Sequence, residues 1–181
     1  MDGVFPKRKL TDKIVHDYEL LTQAINGLKA VKHTIVVTIG SWDLLHIGHV
    51  RYLNEAKMHG DILVVGVDSD RAVRLSKGPL RPVVPQKERC EMLSYQSVVD
   101  FVALLDDVNG KGEWQYGLIR NLRPDVFIAE ESSYSPKQLR NIRKYSKRVV
   151  VLKRQAKDTS TSKLIQKTVK KNLNHLLKKR K

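Results

Sequence analysis

A chain of 181 residues fits one domain of ordinary size, roughly 100–200 residues, and is long enough to bury a core. A single cysteine, Cys90, excludes an intrachain disulfide, no apolar run approaches the roughly 18 residues of a membrane span, and the first ten residues lack the apolar core of a signal peptide. A soluble cytoplasmic protein is therefore expected. The net charge of +15 suggests nucleic-acid binding until it is mapped: residues 137–181 hold 17 Lys+Arg and one acid, Asp158, whereas the first 136 hold 17 basic and 18 acidic residues.

Ile14, Tyr18, Leu21, Ile25 and Leu28 recur at helical spacing, which predicts an amphipathic helix over 13–28. The β-branched run at 33–39 predicts a buried strand. A helix is expected from Ile47 to His59, stopped by Gly60, and a second strand over 61–67. A short helix follows over 69–76. Prolines at 79, 82 and 85 make 77–85 a loop, with Pro85 in the first turn of a helix to about Gln96. Residues 98–105 predict a third strand, 106–112 a loop, 114–122 a helix and 125–129 a fourth strand. Ser135 and Pro136 read as the cap and first position of the next helix. A fifth strand is expected at 148–152 and a last helix from 160 to about 178. This alternation predicts an α/β, Rossmann-like doubly wound fold, with a five-stranded parallel sheet and helices on both faces. The expected organisation is an N-terminal helical extension (1–32), the main domain (33–168) and a basic helix end or tail (169–181). Ligands of such sheets bind at the carboxyl ends of the strands.

The stretch G-S-W-D-L-L-H-I-G-H, residues 40–49, follows the first buried strand. Three readings fit it. His46 and His49 could share a metal, although zinc needs three or four ligands and no other histidine or the lone cysteine is suitably spaced. They could be structural, with Asp43 capping a turn and Trp42 packed. Or the stretch could hold phosphate: a helix N-terminus attracts anions, Gly48 permits close approach to the backbone, and two imidazoles one turn apart can donate to the same phosphoryl oxygens.

The stretch resembles the signature of the HxGH cytidylyltransferase-like nucleotidyltransferase superfamily. The resemblance continues, in the family's order, through A-K-M-H-G-D-I-L-V-V-G-V-D-S-D at 56–70, K-G-P-L-R-P at 77–82, Arg89, V-V-D at 98–100, R-P-D-V at 123–126 and S-T-S-K-L-I at 160–165. Within that superfamily the chain is most similar to the heptose 1-phosphate adenylyltransferase branch. The resemblance implies transfer of a nucleoside monophosphate, AMP favoured, from a nucleoside triphosphate to the phosphate of a small sugar or polyol phosphate, with release of pyrophosphate. CTP-dependent glycerol-3-phosphate or phosphoethanolamine cytidylyltransferases and FAD synthetase-like adenylyltransferases are the alternatives.

In that resemblance His46, His49 and Lys77 are catalytic, with Lys77 reaching the phosphates over a mobile loop. Gly40, Ser41, Trp42, Asp43, Gly48, Arg154, Ser160 and Thr161 bind the nucleotide, Asp43 orienting its loop or facing the acceptor. Asp68, Asp70, Arg81, Glu130 and Glu131 are acceptor candidates. Glu130 and Glu131 stand where the branch usually carries a basic residue. Mg2+ is implied, bridged by triphosphate oxygens and not by protein side chains. Superfamily members are often homodimers. The rival class is a nucleic-acid-binding module gripping through residues 137–181, against which stands the scarcity of aromatics there.

Overall fold

The computed structural model describes residues 9–179. Residues 1–8 of the expected N-terminal extension and residues 180 and 181 of the basic tail lie outside the described residues.

The sheet has six strands, all parallel: β1 (Ile14–Val15), β2 (Ile35–Gly40), β3 (Ile62–Asp68), β4 (Phe101–Leu105), β5 (Val126–Glu130) and β6 (Arg148–Leu152), in the order β1-β4-β3-β2-β5-β6. Five strands are those expected from sequence. The sixth, β1, corrects that expectation: Ile14 and Val15 pair with Val102 and Ala103 at one edge. The helix read from residue 13 begins only at α1 (Tyr18–Ala30). Asp17 sets that boundary, since its carboxylate accepts from the N–H groups of Glu19 (2.8 Å) and Leu20 (3.2 Å).

Helices cover both faces because the central strands are apolar on both. On one face α1, α5 (Gly117–Leu122) and α6 (Pro136–Ile142) bury Leu21, Ile25, Leu118, Ile119, Leu122 and Ile142 against Ile35, Val37, Val64 and Phe127. On the other, α2 (Ile47–Lys57) and α4 (Gln86–Ser94) bury Tyr52, Leu53, Ala56, Cys90 and Leu93 against Val36, Leu63, Val65 and Ile128. Each fully buried aliphatic side chain contributes about 1.5–3 kcal/mol. Lys29 fastens α1 to α5, its Nζ donating to the carbonyls of Leu122 and Arg123, both at 2.6 Å, where the helix dipole favours a cation. Two further helices are α3 (Asp70–Lys77) and α7 (Thr161–Lys179).

From β2 the chain steps outward to β3 and β4, then returns to the other side of β2 to make β5 and β6. The strand order therefore reverses between β2 and β5, where a doubly wound sheet opens a crevice. Tyr52 bridges this point. Its hydroxyl donates to the Ile128 carbonyl on β5 (3.0 Å), so the Thr38 hydroxyl on β2 donates to it in turn (2.8 Å).

Candidate nucleotide-binding site

At that reversal a cleft of about 960 Å³ opens above the carboxyl ends of β2, β3 and β5, within the range of small-molecule sites. The residues after β2 turn sharply. Trp42 (φ 52°) and Leu44 (φ 48°) are left-handed, a conformation costing about 1–3 kcal/mol each and kept only where surroundings enforce it. They do so here: the buried Trp42 indole N–H donates to the Gly66 carbonyl on β3 at 2.8 Å. The turn delivers His46 to the N-cap of α2, where Nδ1 accepts from the Gly48 N–H at 3.1 Å. Nδ1 so engaged leaves Nε2 as the donor of a neutral ring.

His49 lies one turn on. Its ring stacks on His46 with centroids 3.9 Å apart and 17° between planes, and meets Trp42 edge-on at 5.5 Å. His49 Nδ1 is buried without a hydrogen-bond partner among the described residues, so Nε2 is the nitrogen available to the cleft. Burial, then the nearby His46 and Lys77, push the His49 pKa down to about 3, and burial followed by Arg154 lowers that of His46. Both rings are therefore neutral hydrogen-bond donors at neutral pH. Positive charge in the cleft comes from Lys77, Arg81, Lys137 and Arg154.

Lys77 ends α3 instead of riding a mobile loop, and Gly78 follows at φ 94°. Its Nζ donates to Ser41 Oγ at 2.6 Å, and its pKa is lowered by burial, then by Arg81. Asp43 is fully buried and holds the following loop: it pairs with Arg81 Nε at 2.6 Å and accepts from the N–H groups of Val83 (3.0 Å) and Val84 (2.9 Å). Burial alone would raise its pKa, but those donors prevail and lower it. Opposite the histidines, α7 begins with Ser160, whose hydroxyl accepts from the Lys163 N–H at 3.2 Å. Thr161 Oγ1 donates to the Asp43 carbonyl at 2.6 Å, joining the second helix N-terminus to the first.

Thirteen of the sixteen residues singled out in the sequence line this one cleft: Gly40, Ser41, Trp42, His46, Gly48, His49, Asp68, Lys77, Arg81, Glu130, Arg154, Ser160 and Thr161. Three do not. Asp43 works from beneath, as described. Asp70 pairs with Arg89 at 2.8 Å. Glu131 accepts from the Arg154 backbone N–H at 3.1 Å. Asp70 and Glu131, expected to face the acceptor, thus stand outside the cleft lining. Sequence reasoning missed Trp114, Tyr116, Tyr134 and Asn141, which also line the cleft, and the organising role of Arg89 beneath it. Two signals marked Arg89: its place in the family resemblance, and its position in the middle of a short helix that otherwise buries Cys90, Leu93 and Ser94.

Gly48 is required by contact. A Cβ there would sit 3.0 Å from His46 Cε1 and 3.1 Å from both His46 Nδ1 and the Ala156 side chain. Gly48→Ala is therefore expected to push the His46 ring aside and lower kcat by about tenfold, with a circular dichroism spectrum like that of the wild type.

A parallel doubly wound sheet whose order reversal carries two stacked histidines, a lysine and two helix N-termini is a place where phosphate groups can be held. The sequence profile of the Cytidylyltransferase-like family matches residues 37–170, and the chain belongs to that family. It is a nucleotidyltransferase. It is 41% identical over 103 residues to "Bifunctional protein HldE" of Syntrophotalea carbinolica, covering 57% of this chain and 20% of that protein. To the protein of the same name from Wolinella succinogenes it is 47% identical over 94 residues, 52% and 19% of the two chains. The chain thus spans about a fifth of the length of these curated relatives. Among solved structures, the lipopolysaccharide core biosynthesis protein from Thermoplasma volcanium GSS1 superposes with a TM-score of 0.55 at 28% identity, over 66% of this chain and 96% of that one.

Proposed function

We propose that this chain transfers a nucleoside monophosphate, AMP by preference, from a nucleoside triphosphate to the phosphate of a small sugar or polyol phosphate and releases pyrophosphate. The observation that carries this reading is the stacked pair His46 and His49 at the start of α2, facing Lys77 and the start of α7 in one cleft. The preference for AMP rests on the resemblance to heptose 1-phosphate adenylyltransferases. The Thermoplasma volcanium relative, described as a lipopolysaccharide core biosynthesis protein, supports a sugar-like acceptor.

An acceptor phosphate is already ionised near neutral pH, so the reaction needs no general base. One of its oxygens bonds to the α-phosphorus as the bond from that phosphorus to the oxygen of the departing pyrophosphate breaks. Catalysis then consists of positioning and of neutralising charge on the equatorial oxygens. His46 and His49 donate from Nε2 to those oxygens without having to lose or gain a proton. Lys77 supplies the positive charge between the two anions, and Ser160, Thr161 and Arg154 receive the β- and γ-phosphates at the start of α7. Magnesium, when bound, would supply positive charge that offsets the triphosphate's; among the described residues no cluster of three or more His, Cys, Asp or Glu side chains stands ready to ligate it, which fits a metal that accompanies the triphosphate.

Pyrophosphate release from a panel of phosphorylated sugars, polyols and amino alcohols, each with ATP and with CTP, tests the reading. Acceptor-dependent release with ATP and a sugar or polyol phosphate is expected. Release that ignores the acceptor, or none with any pair, overturns it; release with CTP alone overturns the nucleotide preference.

A further inference from the structure

The cleft does not end at the histidines. It continues across the carboxyl edge of the sheet to the face covered by α5 and α6, where the connection from β4 to α5 forms its wall. Trp114 and Tyr116 lie there with ring centroids 4.2 Å apart, and Tyr134 is 5.9 Å from Trp114. The Trp114 indole N–H donates to Asp107 Oδ2 at 2.9 Å, and the same oxygen accepts from the Gly117 N–H at 2.6 Å. Ring and carboxylate are thereby fixed as one unit. Tyr116 takes a left-handed backbone (φ 60°) and its hydroxyl accepts from the Asn141 amide at 3.4 Å. Asp68 ends β3 and lines the same cleft, and its carboxylate has no hydrogen-bond partner among the described residues. Burial raises the pKa of Asp68 and that of Asp107, and the Asp107 charge adds to the rise at Asp68. Desolvated acceptors with free lone pairs call for donors from a ligand.

We propose that Asp68, Asp107, Trp114, Tyr116 and Asn141 form the subsite for the uncharged, hydroxyl-bearing part of the acceptor, a sugar ring or polyol chain. The proposal rests on the nucleotidyl-transfer reading above and adds where the acceptor lies and what selects it. Carboxylates accept from hydroxyl donors. Aromatic rings cover the apolar C–H side of a sugar. An amide and a phenol both donate and accept, as hydroxyls do. An ammonium-bearing acceptor would engage the rings and the acids, but it has no lone pair to accept from the amide N–H or the phenol O–H. The acceptor's phosphate end then reaches toward Lys77, which lines the same cleft and is near enough to act on both Asp68 and His49.

The test is steady-state kinetics of the full chain with its best acceptor, varying acceptor and nucleoside triphosphate separately. Asp68→Asn removes a charge that holds no structural bond. Trp114→Ala removes the ring, and Trp114→Phe keeps a ring without the indole N–H. In Asp68→Asn and Trp114→Ala the acceptor KM is expected to rise about tenfold or more, the loss of one charge-assisted contact, while kcat falls less and the triphosphate KM holds. Trp114→Phe is expected to recover much of the acceptor affinity. An unchanged acceptor KM in both variants, a triphosphate KM that rises in step, or a wild-type preference for phosphoethanolamine or phosphocholine over sugar and polyol phosphates overturns the proposal. A wild-type protein that releases no pyrophosphate with any acceptor overturns the reaction itself, and the subsite with it; the variant series separates the two failures.

Discussion

Replacing His49 by alanine is expected to lower kcat about 10²–10³-fold, the usual loss when one preorganised donor to a developing oxyanion is removed. His46→Ala should do the same, and the double variant should lose less than the product, because both rings serve the same charge. His46 also caps α2, and loss of such a cap costs about 1 kcal/mol. His46→Asn separates the two roles: asparagine caps well, so stability returns while turnover does not. The neutral state of the pair carries a pH signature. The His49 pKa falls from an ordinary 6.5 to about 3 in the folded protein. Below about pH 6.5 the unfolded chain therefore binds a proton that the folded chain refuses, and stability is lost as pH falls through the window from 6.5 to about 3. His49→Gln should flatten that acid limb in thermal melts. A kcat within about threefold of wild type in His49→Ala would take the pair out of the reacting centre.

The largest effect on stability is expected at Arg89. Its side chain is fully buried and satisfies four groups from three segments: the carbonyls of Ser41, Val84 (2.9 Å) and Asp68 (2.8 Å), and the Asp70 carboxylate (2.8 Å). Arg89→Met keeps the volume and strands all four, and breaking a buried pair in this way costs about 3–5 kcal/mol. At roughly 2–4 °C per kcal/mol for a chain of this size, Tm should drop by about 6–20 °C in calorimetry. Arg89→Lys should recover little, because an ammonium cannot reproduce the planar fork. Turnover should fall as well, since Ser41 and Asp68 both line the cleft that Arg89 holds open. A Tm within about 3 °C of wild type would mean that the freed carbonyls find other donors.

What could be read from the sequence follows from how local each signal is. The strands at 35–40, 62–68, 126–130 and 148–152 lie within a residue or two of expectation, because continuous β-branched runs bounded by turn residues have no competing reading. Strand β1 was hidden for the opposite reason. Two residues carry no period, and Ile14 stands four before Tyr18, so it joined the helical stripe although it packs on the opposite face of the sheet from Leu21. The helix expected from Trp114 starts at Gly117 because Asp107, ten residues back, accepts its N–H. That long-range cap leaves Trp114 and Tyr116 in the cleft wall, which no local pattern announces. The site was legible where the motif is contiguous, from Gly40 to His49. It was opaque where selection depends on how distant elements come together, as with Asn141 on α6, or on who pairs with whom, as with Asp70.

Asp43 has a consequence for the order in which the protein matures. One residue joins segments far apart in the chain: its carboxylate holds Arg81, Val83 and Val84, and its carbonyl receives Thr161. A growing chain can form β2, α2 and the histidine pair early, yet the second helix start cannot dock until residue 161 is available, well over a hundred residues later in the chain. Docking of the second helix start therefore comes after the histidine turn can form, and a chain stalled before Ser160 would carry its histidines without that helix start opposite them.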